Sequence, residues 1–309
     1  IRQAPVIDHR QENDPSSVKG GTSVTVHWPA LASQILASAK ARFLQIADDY
    51  TFLNPHLTLT VDWLGGRTRV KAAWPGWKKW RPSDPCCPWW YEREHLERLA
   101  AACIAADQRR GADRTVREFI ATFAGLTGSA KQKKVLEATG LSRTRLSVLA
   151  CDGRLDAAAV AKTLAAMRSE TKRAQPKELG VIGKDVIRTR FESFGCEMGS
   201  FKYTRVADFN SQGLPYVLET AFAWHPDLDE RRSVIGINWS PAIGNPFRTL
   251  GSVSLDELLE RQRSGRYRPV VFLLHVACPR VAYTDRGKSA VIVPGTNINP
   301  NGDPNEEEE

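Results

Sequence analysis

Val270-Val271-Phe272-Leu273-Leu274-His275-Val276-Ala277-Cys278-Pro279-Arg280 decides the fold class. Val270 to Val276 reads as a strand. Two further strands read at Val217 to Ala223 and Val234 to Trp239, and a helix from Leu255 to Arg263 separates the second strand from the third. The expected core is therefore β-β-α-β, in an α+β chain. Upstream, Glu92 to Arg173 has a helical pattern, cut by Gly111, Gly125, Gly128, Gly140 and Gly153 into four or five short helices. Nearer the start, Thr22 to Trp28 alternates as a half-buried strand, and Ala30 to Ile46 has apolar residues at helical spacing. Asn54-Pro55-His56 then breaks the chain before Leu57, Leu59, Val61 and Trp63 alternate toward Gly65-Gly66, the pattern of a strand ending in a tight turn.

At 309 residues, two or three domains are expected. The formal charge of +8 favours an anionic partner, which includes nucleic acid. Six scattered cysteines, with only the vicinal pair Cys86 and Cys87 close together, suit neither a zinc site nor an ordinary disulfide, so a reducing compartment is expected. The histidines lack metal-ligand spacing and no metal site is expected. No apolar run has the length of a membrane span and no signal segment opens the sequence, which reads as cytosolic. Because the first residue is Ile1, the sequence is expected to be a fragment.

Between Trp74 and Trp90, five tryptophans alternate with Lys78, Lys79, Arg81 and four prolines, too many for regular structure. Single-stranded nucleic acid stacking on the indoles is one reading; a linker whose tryptophans anchor neighbouring domains is the favoured one. Lys131 to Leu149 reads as helix, turn, helix: Gly140 turns the chain, Ser142 caps the second helix, and Val135, Leu136, Leu141, Leu146 and Leu149 bury together. In a DNA-binding pair of this kind Arg143 and Arg145 enter the major groove, with Lys131, Lys133 and Lys134 on phosphates; a packing hairpin is the alternative. Asp285-Arg286-Gly287-Lys288-Ser289 is not a Walker loop, since Ala282 stands where its first glycine is required. A flexible loop carrying Lys288 to a phosphate and an ordinary solvated lysine remain the two readings.

Taken in order, these segments resemble the B-type ATPase subunit of topoisomerase VI, of the GHKL family, from about Gly20 to Val293. Gly21-Thr22 and the strand after them resemble the last glycine-box strand of the GHKL fold. Asn54-Pro55-His56 resembles the family's Val-Asn-Pro-His segment, and Glu94-His95-Leu96 with Thr115-Val116-Arg117-Glu118-Phe119-Ile120 the run into its helix-two-turns-helix domain. Gly180-Val181-Ile182-Gly183-Lys184-Asp185 is similar to the entry to the transducer domain. Gly213-Leu214-Pro215-Tyr216-Val217-Leu218-Glu219, Asn238-Trp239-Ser240-Pro241 and the segment from His275 to Ser289 fit further transducer landmarks.

The resemblance implies a multidomain layout: residues 1–73 the end of a GHKL domain, 92–175 a helix-two-turns-helix-like domain and 176–293 a transducer-like βαβ domain; composition makes 74–91 a Trp/Pro-rich linker and 294–309 a disordered acidic tail, where the family's transducer continues into a long helix. It implies Lys288 as the switch lysine that senses the γ-phosphate, with Gly21 and Thr22 lining the ATP pocket. ATP and magnesium are the implied cofactors of the complete protein. Double-stranded DNA, a topoisomerase VI A-like cleavage subunit and a second copy are the implied partners, in a nucleoid-associated cytoplasmic setting. The family's catalytic Glu, magnesium-binding Asn, Asp-x-Gly-x-Gly and glycine-rich lid belong before residue 20 and are absent there. No catalytic residue is therefore expected in this chain, and neither tight ATP binding nor hydrolysis by it alone. The alternatives are a helix-turn-helix DNA-binding regulator and a non-catalytic scaffold in a larger complex.

Overall fold

The computed structural model describes residues 33–63, 65–78, 84–151, 154–248, 253–284 and 290–292. Two compact units divide the chain, Ile1–Arg42 and Phe43–Glu309. In the first lie helix α1 (Ser33–Ser38) and the opening residues of α2 (Lys40–Leu53). The single helix expected over 30–46 is thus two. At the break, the Ile35 carbonyl accepts from both the Ser38 hydroxyl at 2.8 Å and the Ala39 backbone N–H at 3.0 Å.

In the second unit, β1 (Leu59–Trp63) is the expected strand ending in a turn, with Gly65 at φ +84°, and beyond the turn it pairs as a hairpin with β2 (Gly66–Val70), which the sequence reading did not include. The helical stretch comprises α3 (Arg93–Arg109), α4 (Val116–Ile120), α5 (Ser129–Thr139) and α6 (Ala157–Ser169), with a short pair β3 (Ala150–Cys151) and β4 (Arg154–Leu155) before α6. Local chemistry sets these boundaries. Thr115 and Glu118 form a reciprocal capping box on α4, Asp156 caps α6, and Gly140 ends α5 in the left-handed conformation. Leu96, Ile104, Val116, Phe119, Phe123, Val135, Leu146, Leu164 and Met167 meet in one buried cluster.

Then come α7 (Lys184–Phe194), β5 (Lys202–Phe209), β6 (Pro215–Trp224), β7 (Arg232–Ile237), β8 (Ser240–Pro241), α8 (Leu255–Arg261) and β9 (Val270–Ala277). These strands form one sheet in the order β5-β6-β9-β7-β8. β6 is antiparallel to both its neighbours, and β7 and β9 are parallel, joined through α8. Central β9 is buried along nearly its whole length, as its unbroken apolar run requires. On one face Ala221, Val234, Val271 and Leu273 pack under Phe52 and Leu53 of α2 and Val186, Ile187 and Phe191 of α7. On the other, Ile235, Ile237, Phe272 and Leu274 pack against Leu255 and Leu259 of α8 and Phe247. A last pair, β10 (Ala282–Tyr283) and β11 (Val291–Ile292), flanks residues 285–289. The chain is a mixed α+β protein, and among the described residues no helix is long and apolar enough to cross a membrane.

α2 is fixed both to α7 and to the sheet. Arg190 of α7 donates to Asp48 at 2.6 Å and lies 4.6 Å from the centre of the Phe52 ring, while Arg232 of β7 reaches Asp49 at 2.5 Å. Beneath them β7 comes so close to the helix that a Cβ on Gly236 would lie 2.5 Å from both methyls of Leu53, a side chain with no exposed surface. Gly236→Ala is expected to destabilise the protein by about 1–3 kcal/mol through overpacking. Leu53→Ala should recover part of that loss in the double variant, read by chemical denaturation; strictly additive effects would show that the two residues do not share the space.

Candidate functional site

Glu219 lies on the α2/α7 face of β6, opposite His275 of β9 in the antiparallel register. Neither residue has any exposed surface. A buried carboxylate is tolerated only when its lone pairs are filled. Glu219 Oε1 accepts from the Gly183 backbone N–H at 2.8 Å and the Tyr203 hydroxyl at 2.9 Å; Oε2 accepts from the Ile182 N–H at 2.8 Å and stands 3.0 Å from His275 Nδ1. Burial alone would push this carboxyl up. The bonds from His275, Ile182 and Gly183 outweigh it and hold the group below the usual carboxylate range. In return, burial and the Glu219 charge push the Tyr203 phenol up.

The turn between β7 and β8 completes the centre. Asn238 and Trp239 both have left-handed backbones, at φ +47° and +69°, the two-residue hairpin geometry in which glycine is favoured at the second position. Side-chain bonds hold this strained turn. Asn238 donates from Nδ2 to the Cys278 carbonyl at 2.8 Å and accepts from the Cys278 N–H at 2.9 Å, and Asn54 Nδ2 donates to the Trp239 carbonyl at 2.8 Å. The Trp239 indole is edge-on to His275 at 5.0 Å, touches Trp77 at 5.8 Å, and would lie 3.7 Å from a Cβ on Gly180. Trp77 stacks on His56 and donates to the Val181 carbonyl at 3.1 Å. Where β9 ends, Arg280 bonds Gln212 at 2.9 Å and Glu92 at 2.8 Å, and approaches His95 Nδ1 at 3.4 Å.

Segments far apart in the chain thus converge here: Asn54 and His56, Glu92 and His95, Gly180 to Gly183, Gln212 to Glu219, Asn238-Trp239, and His275 to Arg280. Sequence reading singled out most of these segments and missed that Glu219 pairs with His275. The available signal was a carboxylate and an imidazole set inside two apolar strands. Cys278 is buried, as a packing residue would be, and burial pushes its thiol up. Gly21, Thr22 and Lys288, the residues assigned to ATP, lie outside the described residues, so no described geometry bears on nucleotide binding. Among the described residues no cluster of three or more His, Cys, Asp or Glu could hold a metal ion.

The predicted DNA-binding pair is not a helix-turn-helix. α5 forms and carries Lys131, Lys133 and Lys134 exposed, but no second α-helix starts at Ser142. Arg143 has φ +60°, which breaks the helical path, and the chain then runs extended past α4. There the Thr144 carbonyl accepts from Val116 N–H and the Leu146 N–H donates to the Arg114 carbonyl. Only a 3-10 turn, Leu146–Leu149, follows. Its Leu146 and Leu149 are buried as the pattern required, so the apolar spacing served packing without an α-helix. Several of the basic groups are engaged within the chain. Lys133 is 3.7 Å from Glu137, Lys134 is 3.6 Å from Glu170, and Arg145 donates to the Asp113 carbonyl at 2.6 Å. Arg145 lines an open cleft with Asp107, Asp113, Arg114 and Glu118, where bonding to Arg114 holds Asp107 down at about 2. Of the tryptophans of 74–90, Trp74 is exposed and Trp80 lies outside the described residues, while Trp77 and Trp90 pack against Trp239 and Val217, and Trp89 donates to the Thr171 carbonyl at 3.3 Å beneath the guanidiniums of Arg168 and Arg173.

Glu219→Gln places an amide N–H among four donors and is expected to cost about 3–5 kcal/mol, as does breaking a buried pair. The carboxyl's folded value lies below its unfolded one, so its contribution is full above the unfolded value, about pH 4.3, and is lost as pH falls through the folded value. The wild type should therefore lose stability in strong acid more steeply than Glu219→Gln. Parallel acid titrations of the two would argue against a charged Glu219.

No family model and no curated protein matches the chain. Among solved structures, a lysine-to-glutamate mutant of tomato leucine aminopeptidase aligns at 11% identity with a TM-score of 0.15, over 81% of this chain and 55% of that one. The chain thus spans about half the length of that structure, and a likeness so slight carries no argument about fold or function.

Proposed function

We propose that this chain is part of a topoisomerase VI B-like ATPase, in which a transducer domain couples nucleotide state to DNA strand passage by a cleavage partner. The reading is carried by one observation: five of the segments on which the resemblance rests, Asn54-Pro55-His56, Gly180 to Gly183, Gly213 to Glu219, Asn238-Trp239 and His275 to Cys278, pack around the Glu219–Trp239 centre, while Thr115 to Ile120 packs in the helical core. A chance collection of short matches has no reason to share one site. The β7-α8-β9 crossover supports it further, as a βαβ unit of the kind assigned to the transducer.

In this reading ATP, bound with magnesium in the complete protein, supplies the free energy for the cycle. The chain's own part is transmission. Lys288 would meet the γ-phosphate, and the Cys278–Asn238 bonds, the β7–β8 turn and the bonds from Glu219 to the backbone at Ile182 and Gly183 would carry the change in its position into the fold. A two-state hinge biased in this way needs only one ammonium that distinguishes triphosphate from diphosphate. The layout of GHKL end, helical middle and transducer belongs to the same proposal. A non-catalytic scaffold is the second reading, favoured by the internal partners of Lys133, Lys134 and Arg145. The regulator reading loses its main support with the missing second helix.

In a form of the protein that carries the nucleotide-binding core, Lys288→Ala is expected to weaken ATP-dependent dimerisation or turnover about tenfold or more, the scale of a lost hydrogen bond to a charged group. Its thermal midpoint should be unchanged. An unaltered ATP response would reject the switch role, and no ATP-dependent behaviour in the wild type would leave the scaffold.

A further inference from the structure

Between α8 and β9 the chain runs Arg261-Gln262-Arg263-Ser264-Gly265-Arg266-Tyr267-Arg268, with all four arginines exposed. The loop's backbone is latched from both sides. Arg263 N–H donates to the Glu260 carbonyl at 2.9 Å and Ser264 N–H to the Leu259 carbonyl at 2.8 Å, while the Glu260 carboxylate accepts from Arg266 N–H at 3.2 Å. From β7's side, Arg231 donates its backbone N–H to the Arg266 carbonyl and its guanidinium to the Ser264 carbonyl, each at 2.7 Å, and is itself held by Asp256 at 2.5 Å. Gly265 is buried so tightly that a Cβ would collide with the Glu260 carboxylate. A loop fixed in this way loses little freedom on binding a partner.

What the loop displays is specific. Arg261 pairs with Glu257 at 2.6 Å and Arg266 with Glu230 at 3.3 Å, but Arg263 and Arg268 have no carboxylate partner among the described residues. Arg263 is held at φ +57°, a strained setting for a side chain other than glycine. Between these two arginines in the sequence stands Tyr267, 75% exposed, with the Arg266 guanidinium 5.7 Å from the ring centre. An acidic peptide would use the guanidiniums and leave this ring idle. Phosphodiesters flanking a stackable base would use both.

We propose that the 261–268 loop is a nucleic-acid-binding element that takes backbone phosphates on Arg263 and Arg268 and stacks a base on Tyr267. The assignment rests on the DNA-binding part of the function proposed above and moves the contact away from α5 to the sheet side of the chain.

The test is fluorescence anisotropy of the full chain with a labelled oligonucleotide, single-stranded in one arm and duplexed in the other, across a salt series. Arg263→Gly and Arg268→Gln should each weaken binding in both arms and lower the log-log salt slope by about 1. Arg263→Gly should do so without loss of thermal stability, since glycine takes φ +57° freely. Tyr267→Ala should cost the single strand about tenfold and the duplex much less; equal loss in both arms would overturn the stacking role. Wild-type binding that all three variants retain would overturn the loop assignment and leave the topoisomerase reading standing. A wild type that binds neither oligonucleotide would overturn both. Loss confined to binding of a polyglutamate peptide would assign an acidic protein partner instead and overturn the nucleic-acid proposal.

Discussion

A carboxylate without solvent, at Glu219, is the constraint on which the centre of this molecule depends. An ionised group in such a place needs several donors, and no single element can supply them. Here they come from the α7 entry (Ile182, Gly183), β5 (Tyr203) and β9 (His275), so the charge is stable only when three separate pieces of chain are in place. A hydrophobic residue at 219 could fill the space but would impose no such condition. The penalty for burying the charge is thus offset by the uniqueness of the arrangement around it, a role in specificity rather than in net stability.

The neighbouring turn works by the opposite means. Asn238 and Trp239 sit in a backbone conformation that Trp in particular disfavours, at a cost on the order of 1–2 kcal/mol. The turn is held because Asn238 is bonded twice to Cys278, and because the indole is buried between His275, Trp77 and Gly180. A strained turn held by bonds to two other segments responds when either segment shifts. Cys278 directly follows β9, and Asn54, which bonds the Trp239 carbonyl, directly follows α2. The turn therefore joins the chain that follows β9 to the end of α2.

Much of the sheet was legible because β6, β7 and β9 are apolar runs with punctuation between them, and the α8 crossover followed from helical spacing. β5 was not legible: Lys202-Tyr203-Thr204-Arg205-Val206-Ala207-Asp208-Phe209 is an edge strand exposed along most of its length, so burial imposes no alternation on it. The β7–β8 hairpin was hidden because Trp239 occupies the position where glycine would have announced the turn. The second helix after Gly140 was over-read for a related reason, since leucines spaced for a helix can be buried equally well by a 3-10 turn. The Glu219–His275 centre depends on strand register, and register is set by long-range pairing that no local pattern records.

Charge shows the same separation between composition and placement. The excess of +8 says that an anion is welcome but not where. The lysine cluster on α5 is conspicuous in sequence, yet Lys133 and Lys134 sit beside Glu137 and Glu170, and exposed pairs of that kind largely cancel each other's field. The arginines after α8 are no denser along the chain, but folding uses the nearby carboxylates elsewhere. Glu260 is committed to the loop's own backbone and Asp256 to Arg231, which leaves Arg263 and Arg268 without a carboxylate among the described residues, in the same loop as the exposed Tyr267 ring. A binding surface is defined by the charges that remain after the protein has satisfied itself, and that remainder is a property of the fold.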